Sequence, residues 1–248
     1  MPPTLPLRAR SASEIVDAAF QLYRRDPLNY LLISAICYAP ILVMQLIVFG
    51  PGMEVNEQLS RLTAGVGGIM ALGYWVSISL MSSVMTRMSS QDYLGHPIEP
   101  AVAVRDSLVK LPTVMFALLI KYLLMAIGFL FFIFGAFWVA ARTFAITAAV
   151  ILEGKGVLSS QSRSAKLSRG RKLHIIGTLM LAYLIFFVVY FAIAIIAAMT
   201  GSIVISTVLT VAASIIAYPL FAIVEMLLYY DARVRNEGYD IEVMAEGV

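Results

Sequence analysis

The sequence predicts an all-α, polytopic membrane protein with six transmembrane helices. Two observations carry this prediction: six long stretches are nearly free of charge, and almost all Lys and Arg residues lie in alternate gaps between them. The chain of 248 residues is 60 % hydrophobic and 13 % charged, whereas about 25 % of the residues of a soluble domain are charged. The composition therefore excludes a water-soluble globular protein, and we expect a single integral membrane domain over residues 1–248.

A helix needs about 20 apolar residues to cross the hydrocarbon core of a membrane. Most of the six stretches reach or approach that length. The predicted spans are 28–49, 64–86, 113–134, 136–152, 173–199 and 202–228. The fourth is short, so we expect it to form a tight hairpin with the third, turning near Phe134 to Ala136.

Lys and Arg are enriched in cytoplasmic loops, so their distribution predicts orientation. Fifteen of the 18 Lys and Arg residues lie before the first span, in the loops after the second and fourth spans, or after the sixth span. The opposite side of the membrane receives only Arg61 in the 50–63 loop. Both chain termini are therefore predicted to be cytoplasmic. The first ten residues lack the apolar region and cleavage site of a signal peptide, so we expect the first span to be retained.

The segments on the basic side also show helical patterns. Residues 12–25, 100–110 and 157–169 are each predicted to form an amphipathic helix at the inner membrane surface. Ser11 and Glu14 have the spacing of a capping box at the start of the first of these helices, and Gly170 is placed to end the third. Each helix precedes two spans, which predicts three units of one surface helix and one transmembrane hairpin.

The loop between the fourth and fifth spans is the most basic segment of the chain. Basic residues next to the membrane attract anionic lipid headgroups, at about 1 kcal/mol each. The expected lipid- or partner-binding residues are Arg163, Lys166, Arg169, Arg171 and Lys172. The alternative is that these residues only enforce orientation. The expected partners are membrane lipids of anionic type or another membrane protein, and not nucleic acid, because no recognition module is visible.

Two stretches resemble a known family. Leu152-Glu153-Gly154 and residues 163–171 (Arg-Ser-Ala-Lys-Leu-Ser-Arg-Gly-Arg) are similar to the Glu-Gly and Arg-Ser-Trp-Arg-Leu-Thr-Arg-Gly-Arg pattern of the bacterial membrane domain named after glycerophosphoryl diester phosphodiesterases. Residues 229–240 resemble the ending of that domain, Tyr-Tyr-Asp-x-Arg-Val-Arg-x-Glu-Gly-x-Asp. Ala165 stands where the family usually has Trp.

The resemblance implies a six-span protein of the bacterial cytoplasmic (inner) membrane. In family members with the phosphodiesterase, catalysis belongs to a separate barrel domain after the membrane part. This chain has only eight residues after Asp240, so hydrolase activity is not carried over.

Three ionisable residues lie inside predicted spans: Lys121, Arg142 and Glu225. Charge inside a membrane is costly and usually faces a bundle interior or a wet cavity. Counted along the helices, Lys121 and Glu225 lie at similar depth, so we expect them to pair or to share a polar pocket reached from the cytoplasm. The alternative for Lys121 is snorkelling to the headgroups. Arg142 is predicted to lie nearest the middle of the membrane, without a carboxylate at its own depth.

The tail after the sixth span is densely charged. Its motif residues are Tyr230, Asp231, Arg233, Arg235, Glu237, Gly238 and Asp240. We expect a helix that fastens itself to the inner loops through ion pairs and ends at Gly238. No nucleophile with a base, no paired carboxylates and no metal-ligand pattern is visible. We therefore expect no enzyme, no catalytic residues, and no cofactor or metal.

Two functional hypotheses follow. The first is a non-enzymatic membrane module that engages lipid headgroups or a partner through its basic cytoplasmic helices. The second is a transporter or lipid-handling protein with a polar site near Lys121, Arg142 and Glu225. The second predicts a cavity that reaches those residues, and a tightly packed bundle there would argue against it.

Overall fold

The computed structural model describes residues 6–48, 60, 65–130 and 132–241. The predicted span ends at 49 and 64, and Arg61, lie outside these residues. The described part of the chain contains no β-strand. Its helices are α1 (Ala12–Arg25), α2 (Pro27–Val48), α3 (Gly67–Tyr93), α4 (Pro100–Leu130), α5 (Phe132–Arg142), α6 (Ile146–Ile151), α7 (Val157–Leu167), α8 (Lys172–Met199) and α9 (Ile203–Glu237).

Six helical segments are long and apolar enough to cross a membrane, which confirms the predicted fold class. They are Pro27–Ile47, Gly67–Tyr93, Pro100–Leu130, Phe134–Ile151, Lys172–Met199 and Val204–Glu237. Large apolar side chains cover the outside of the bundle, as on α8, where Phe187 is 60 % exposed and Val188 is 59 % exposed. Such an apolar surface is stable in contact with lipid but not in contact with water. The structure is therefore that of a membrane protein.

The predicted separate helix 100–110 is wrong, because α4 runs without a break from Pro100 to Leu130. The buried face of this helix is continuous across Pro112: Ser107 lies before it, Val114 and Ala117 lie after it, and all three are buried. Pro112 removes one backbone hydrogen bond, but packing on both sides of it holds the helix together. The third span and its predicted surface helix are thus one element.

The fourth span also differs from the prediction. It consists of two helices, α5 and α6, separated by residues 143–145, and α5 already begins at Phe132, before the predicted turn at Phe134 to Ala136. A Cβ atom on Gly128 would lie 2.9 Å from the carbonyl of Gly135. The two backbones meet closely because neither residue has a side chain, so the hairpin can turn earlier than the apolar pattern indicates.

Helices α3 and α9 continue past the predicted span ends at 86 and 228, to Tyr93 and Glu237. Charged residues end an apolar stretch but not a helix, so these boundaries could not be read from hydropathy. The end of α9 follows the sequence, since Gly238 adopts a left-handed conformation with φ 67° and caps the helix. Only a residue without Cβ adopts this conformation without cost, which confirms the predicted stop.

The six spans form a closed ring in chain order. Contacts run from α2 to α3, α4, α5, α8 and α9, and α9 contacts α2 to close the ring. Helix α3 also contacts α9 across the ring. The short helix α6 is buried throughout and packs against α3, α4 and α7.

Helix α1 packs on the protein rather than presenting its apolar face outward. Its predicted capping box is confirmed, because Ser11 and Glu14 exchange both hydrogen bonds. These bonds, with a contact from Arg8, lower the pKa of Glu14 to about 2. Ile15 and Leu22 are fully buried on a face that meets α8 and α9. The location of α1 and α7 in a headgroup layer therefore stays a prediction.

All four basic segments meet at one end of the ring. Arg10 contacts Asp231 through its backbone N–H, and Arg163 forms an ion pair with Glu237. Ser90, at the end of α3, shares a 2.7 Å hydrogen bond with Tyr230. We call this region the basic end; it comprises residues 6–11, 87–110, 152–172 and 229–240. The opposite end, where α8 turns into α9, is called the far end.

Candidate functional site

A cavity of about 530 Å³ lies inside the ring of spans. All six spans contribute to its wall, so no single hairpin could form it alone. Its volume lies within the range of about 300–1,000 Å³ that is usual for small-molecule sites. The residues that carry its chemistry are Tyr38, Tyr74, Trp75, Ser82, Lys121, Tyr122, Thr147, Tyr183, Tyr190, Ser214, Tyr218 and Glu225.

Lys121 and Glu225 face each other in this cavity from opposite sides of the ring. Lys121 Nζ on α4 lies 3.5 Å from Glu225 Oε1 on α9. The side chains are 13 % and 19 % exposed, respectively. Since both residues line the cavity, the structure brings together the two intramembrane charges that the sequence placed at similar depth.

The rest of the wall is mainly aromatic and hydroxyl-bearing. Trp75 and Tyr122 pack edge to face, with ring centroids 5.5 Å apart, and Tyr38 and Tyr218 pack similarly at 6.5 Å. Ser82 Oγ donates a hydrogen bond to Thr147 Oγ1 at 3.2 Å. The cavity thus offers phenol and alcohol groups on an apolar frame, which can bind a ligand that has both polar and apolar parts.

The core of the bundle is densely packed toward the basic end. On that side Met85, Met88, Leu227 and Tyr229 are at most 1 % exposed. Toward the far end the packing is looser: the buried residues of α3 begin only at Ser77. The sequence led us to expect access from the cytoplasmic side, which is the basic end in the predicted orientation. This access stays a prediction.

Arg142 does not belong to this cavity. It is the last residue of α5 and is exposed, and its carbonyl accepts a hydrogen bond from Ser164 Oγ of α7 at 2.9 Å. The predicted depth assumed one continuous helix through residues 143–145, where the structure has a break. Arg142 therefore lies beside α7 and does not line the cavity with Lys121 and Glu225. Its predicted depth near the middle of the membrane stays a prediction.

Arg163 is engaged within the protein. Its Nε donates to both oxygens of Glu153 at 2.8 Å, and its two terminal nitrogens contact the carboxylate of Glu237. Tyr229 also donates to Glu153, at 2.8 Å. The hydrogen bonds to Glu237 and Glu153 raise the pKa of Arg163 above its usual range. This guanidinium links the loop after α6, helix α7 and the end of α9.

The other predicted lipid- or partner-binding residues fall into two groups. Lys172 Nζ lies 3.9 Å above the ring of Trp138, and Arg171 contacts Asn236 Oδ1 at 3.4 Å. Lys166 and Arg169 are exposed, and their side chains have no partner among the described residues. Of the five predicted binding residues, these two are the ones whose exposed charge has no partner among the described residues.

The tail motif is built around the buried carboxylate of Asp231. Its Oδ1 accepts the backbone N–H of Arg10 at 2.7 Å, and its two oxygens accept from Arg235 Nε. Arg233 lies 3.7 Å from the centre of the Tyr239 ring. Tyr230 is buried against Ser90. The motif therefore joins α9 to the N-terminal segment and α3, while Asp240 has no ion pair among the described residues.

Two features of the site were missed in the sequence. The cavity tyrosines Tyr183 and Tyr190, and likewise Tyr218 and Glu225, are seven residues apart, and this spacing places each pair on one face of its helix. That signal was available. The role of Ser164 was not, because its partners Arg142 and Ala145 lie across a helix break that hydropathy does not show.

Among the described residues, no three His, Cys, Asp or Glu side chains group together as a metal site would require. No family profile, curated protein or solved structure matches this chain.

Proposed function

We propose that this protein is a transporter or lipid-handling protein that binds its substrate in the central cavity at Lys121 and Glu225. The observation that supports the proposal best is the ion pair inside a cavity of about 530 Å³. If these two residues served only packing, apolar residues in their place would stabilise the bundle more. The desolvation energy lost when an ion pair is buried is about as large as the attraction between its charges.

The competing proposal, a module that binds lipid or a partner through its basic helices, has less support. Arg163 is held by two carboxylates, and Lys172 and Arg171 have contacts within the protein. Lys166 and Arg169 are exposed and could still attract anionic headgroups. Two surface charges are usual for any cytoplasmic loop of a membrane protein, so they do not single out a function.

The proposed function requires that the cavity be reachable by a ligand, which cysteine labelling tests. In a Cys37→Ala background, which removes the one native cysteine, we expect Ser214→Cys in the cavity wall to react with a small cationic methanethiosulfonate reagent. Ala213→Cys is the matched control, since Ala213 is the neighbouring residue on α9, is 4 % exposed and does not line the cavity.

Rapid labelling of Ser214→Cys with slow labelling of Ala213→Cys would support the proposal. Equal and slow labelling of both would contradict it, because a cavity closed to a small reagent cannot serve a substrate. The resemblance to the phosphodiesterase-associated membrane domain and the location in a bacterial inner membrane remain parts of the proposal. They do not enter the argument for the cavity.

A further inference from the structure

We infer that the ligand of the central cavity is a zwitterion, a molecule with one ammonium and one acidic group, which binds Glu225 and Lys121 respectively. The inference rests on the proposed function and specifies its substrate class. Three observations carry it: the charge balance of the cavity, the geometry of the ion pair and the composition of the wall around it.

The cavity wall has one formal positive and one formal negative charge among its lining residues, Lys121 and Glu225. A purely anionic ligand would pair with Lys121 but leave Glu225 as an uncompensated charge beside it, and a purely cationic ligand would do the reverse. Uncompensated charge in a poorly hydrated site is strongly unfavourable. A zwitterion compensates both residues at once and leaves the cavity neutral.

The ion pair has unused hydrogen-bonding capacity. Lys121 Nζ has three N–H donors, and its one hydrogen bond among the described residues is a long one, 3.5 Å to Glu225 Oε1. The second carboxylate oxygen of Glu225 has no hydrogen-bond donor among those residues. A zwitterion can therefore replace or flank this single long contact with two short charge-assisted hydrogen bonds, which are about twice as strong as neutral ones.

The surrounding wall suits both halves of such a ligand. The wall includes the aromatic residues Trp75, Tyr122 and Tyr183. Aromatic rings can stabilise an ammonium group through cation–π attraction, and phenol hydroxyls can donate hydrogen bonds to an acid. The apolar remainder of the wall, which includes Phe186 and Phe221, can hold a hydrocarbon or aromatic part. Both a free amphipathic zwitterion and a zwitterionic lipid headgroup have this chemistry.

The test compares zwitterions with singly charged relatives of similar shape. The purified full chain in detergent is titrated with L-phenylalanine, phenethylamine and 3-phenylpropionate for the free-molecule case, and with oleoyl lysophosphatidylethanolamine and oleoyl lysophosphatidylglycerol for the lipid case. Binding is measured as slowed labelling of Ser214→Cys and by native mass spectrometry. We expect the zwitterion to bind better than its singly charged relatives in at least one set, and the set identifies the source.

Substitutions of Lys121 and Glu225 are the second part of the test. Lys121→Met and Glu225→Gln should each weaken zwitterion binding about ten- to hundredfold, the loss of one charge-assisted hydrogen bond. The charge swap Lys121→Glu with Glu225→Lys is the matched control, because it keeps a neutral pair and should keep the preference. If the single variants fail to fold, the double variant Lys121→Met with Glu225→Gln leaves no unpaired charge and should lose the preference.

The outcomes separate the inference from the proposed function. If a singly charged probe protects the cavity cysteine better than every zwitterion, the zwitterion inference is overturned while the substrate cavity stands. The inference is also overturned if no zwitterion binds, or if the preference survives in the Lys121→Met with Glu225→Gln variant. Failure of the cavity itself would appear earlier, as an unreactive Ser214→Cys.

Discussion

Ser164 shows how one hydroxyl supports a broken transmembrane helix. Between α5 and α6 the backbone loses its regular hydrogen bonds, and a buried N–H or C=O without a partner is costly. Ser164 Oγ donates to the carbonyl of Arg142 at 2.9 Å and accepts the N–H of Ala145 at 3.0 Å. A side chain of α7 thus replaces bonds that the fourth span cannot make within itself.

Ser164→Ala should therefore destabilise the protein by about 1–3 kcal/mol, the usual cost of leaving buried polar groups without partners. The measurement is the free energy of unfolding in detergent. Ser162→Ala on the same helix is the matched control, because Ser162 is exposed and its one side-chain hydrogen bond among the described residues is to the Leu158 carbonyl of its own helix. It should change stability by less than about 0.5 kcal/mol. Equal effects of the two substitutions would contradict the role given to Ser164.

Lys121 and Glu225 show what a sequence can predict about single residues. Their similar depth followed from counting helical rise from the ends of the apolar stretches, and the structure places their charged groups 3.5 Å apart. The same counting for Arg142 assumed a continuous helix, whereas the structure has a break at residues 143–145. Depth can be read from a sequence only where the helix between the residue and the span end is unbroken.

At the scale of elements, α7 is held mainly by side-chain contacts to its neighbours. Arg163 connects it to Glu153 and Glu237, and Gln161 Nε2 donates to the carbonyl of Ala117 on α4 at 2.8 Å. Asn236 of α9 donates to the carbonyl of Leu167 at 2.8 Å. The basic character of this helix therefore serves intramolecular packing as well as orientation.

Arg163→Gln should release the C-terminal end of α9 from α7, because Glu153 and Glu237 would lose their shared cation. We expect faster amide hydrogen exchange in residues 230–241 and a loss of stability of about 1.5–3 kcal/mol, the worth of hydrogen bonds to charged groups. Lys166→Gln is the control, since this exposed residue of α7 has no side-chain partner among the described residues. Unchanged exchange in Arg163→Gln would contradict the link.

Element boundaries could be predicted only where local chemistry sets them. Ser11 with Glu14 and Gly238 act through their own backbone geometry, and the structure shows both as expected. The continuity of α4 through Pro112 and the early start of α5 at Phe132 depend on what packs against these helices. Tertiary contacts of this kind leave no trace in an apolar pattern, so the third and fourth spans were the least predictable elements.

At the scale of the whole molecule, the ring order of the spans places every basic segment at one end. This agrees with the charge pattern from which we predicted a cytoplasmic location for both termini. The cavity could not be predicted as a space, because its wall takes residues from all six spans, and their rotation about their own axes is set by packing. Its two charged residues were recognised in advance, and the seven-residue spacing of its tyrosines on α8 was a further signal in the sequence.

The predicted orientation can be tested with cysteines placed at the two ends of the ring in the Cys37→Ala background. Thr200→Cys, in the turn at the far end, should react with an impermeant maleimide in intact bacterial cells. Lys166→Cys and Asp240→Cys should react only after permeabilisation, because basic residues favour the cytoplasmic side. Reaction of Thr200→Cys and Lys166→Cys from the same side would contradict the arrangement.

The closure of the ring by α9 bears on biosynthesis. Glu225, Asp231 and Glu237 all belong to this helix, and they are the partners of Lys121, the Arg10 backbone and Arg163. Of the helices described, α9 leaves the ribosome last. Until it inserts, the ammonium group of Lys121 lies in a half-built bundle without the counterion that makes its location tolerable. Before α9 inserts, the charge of Lys121 must therefore be hydrated or paired with another group.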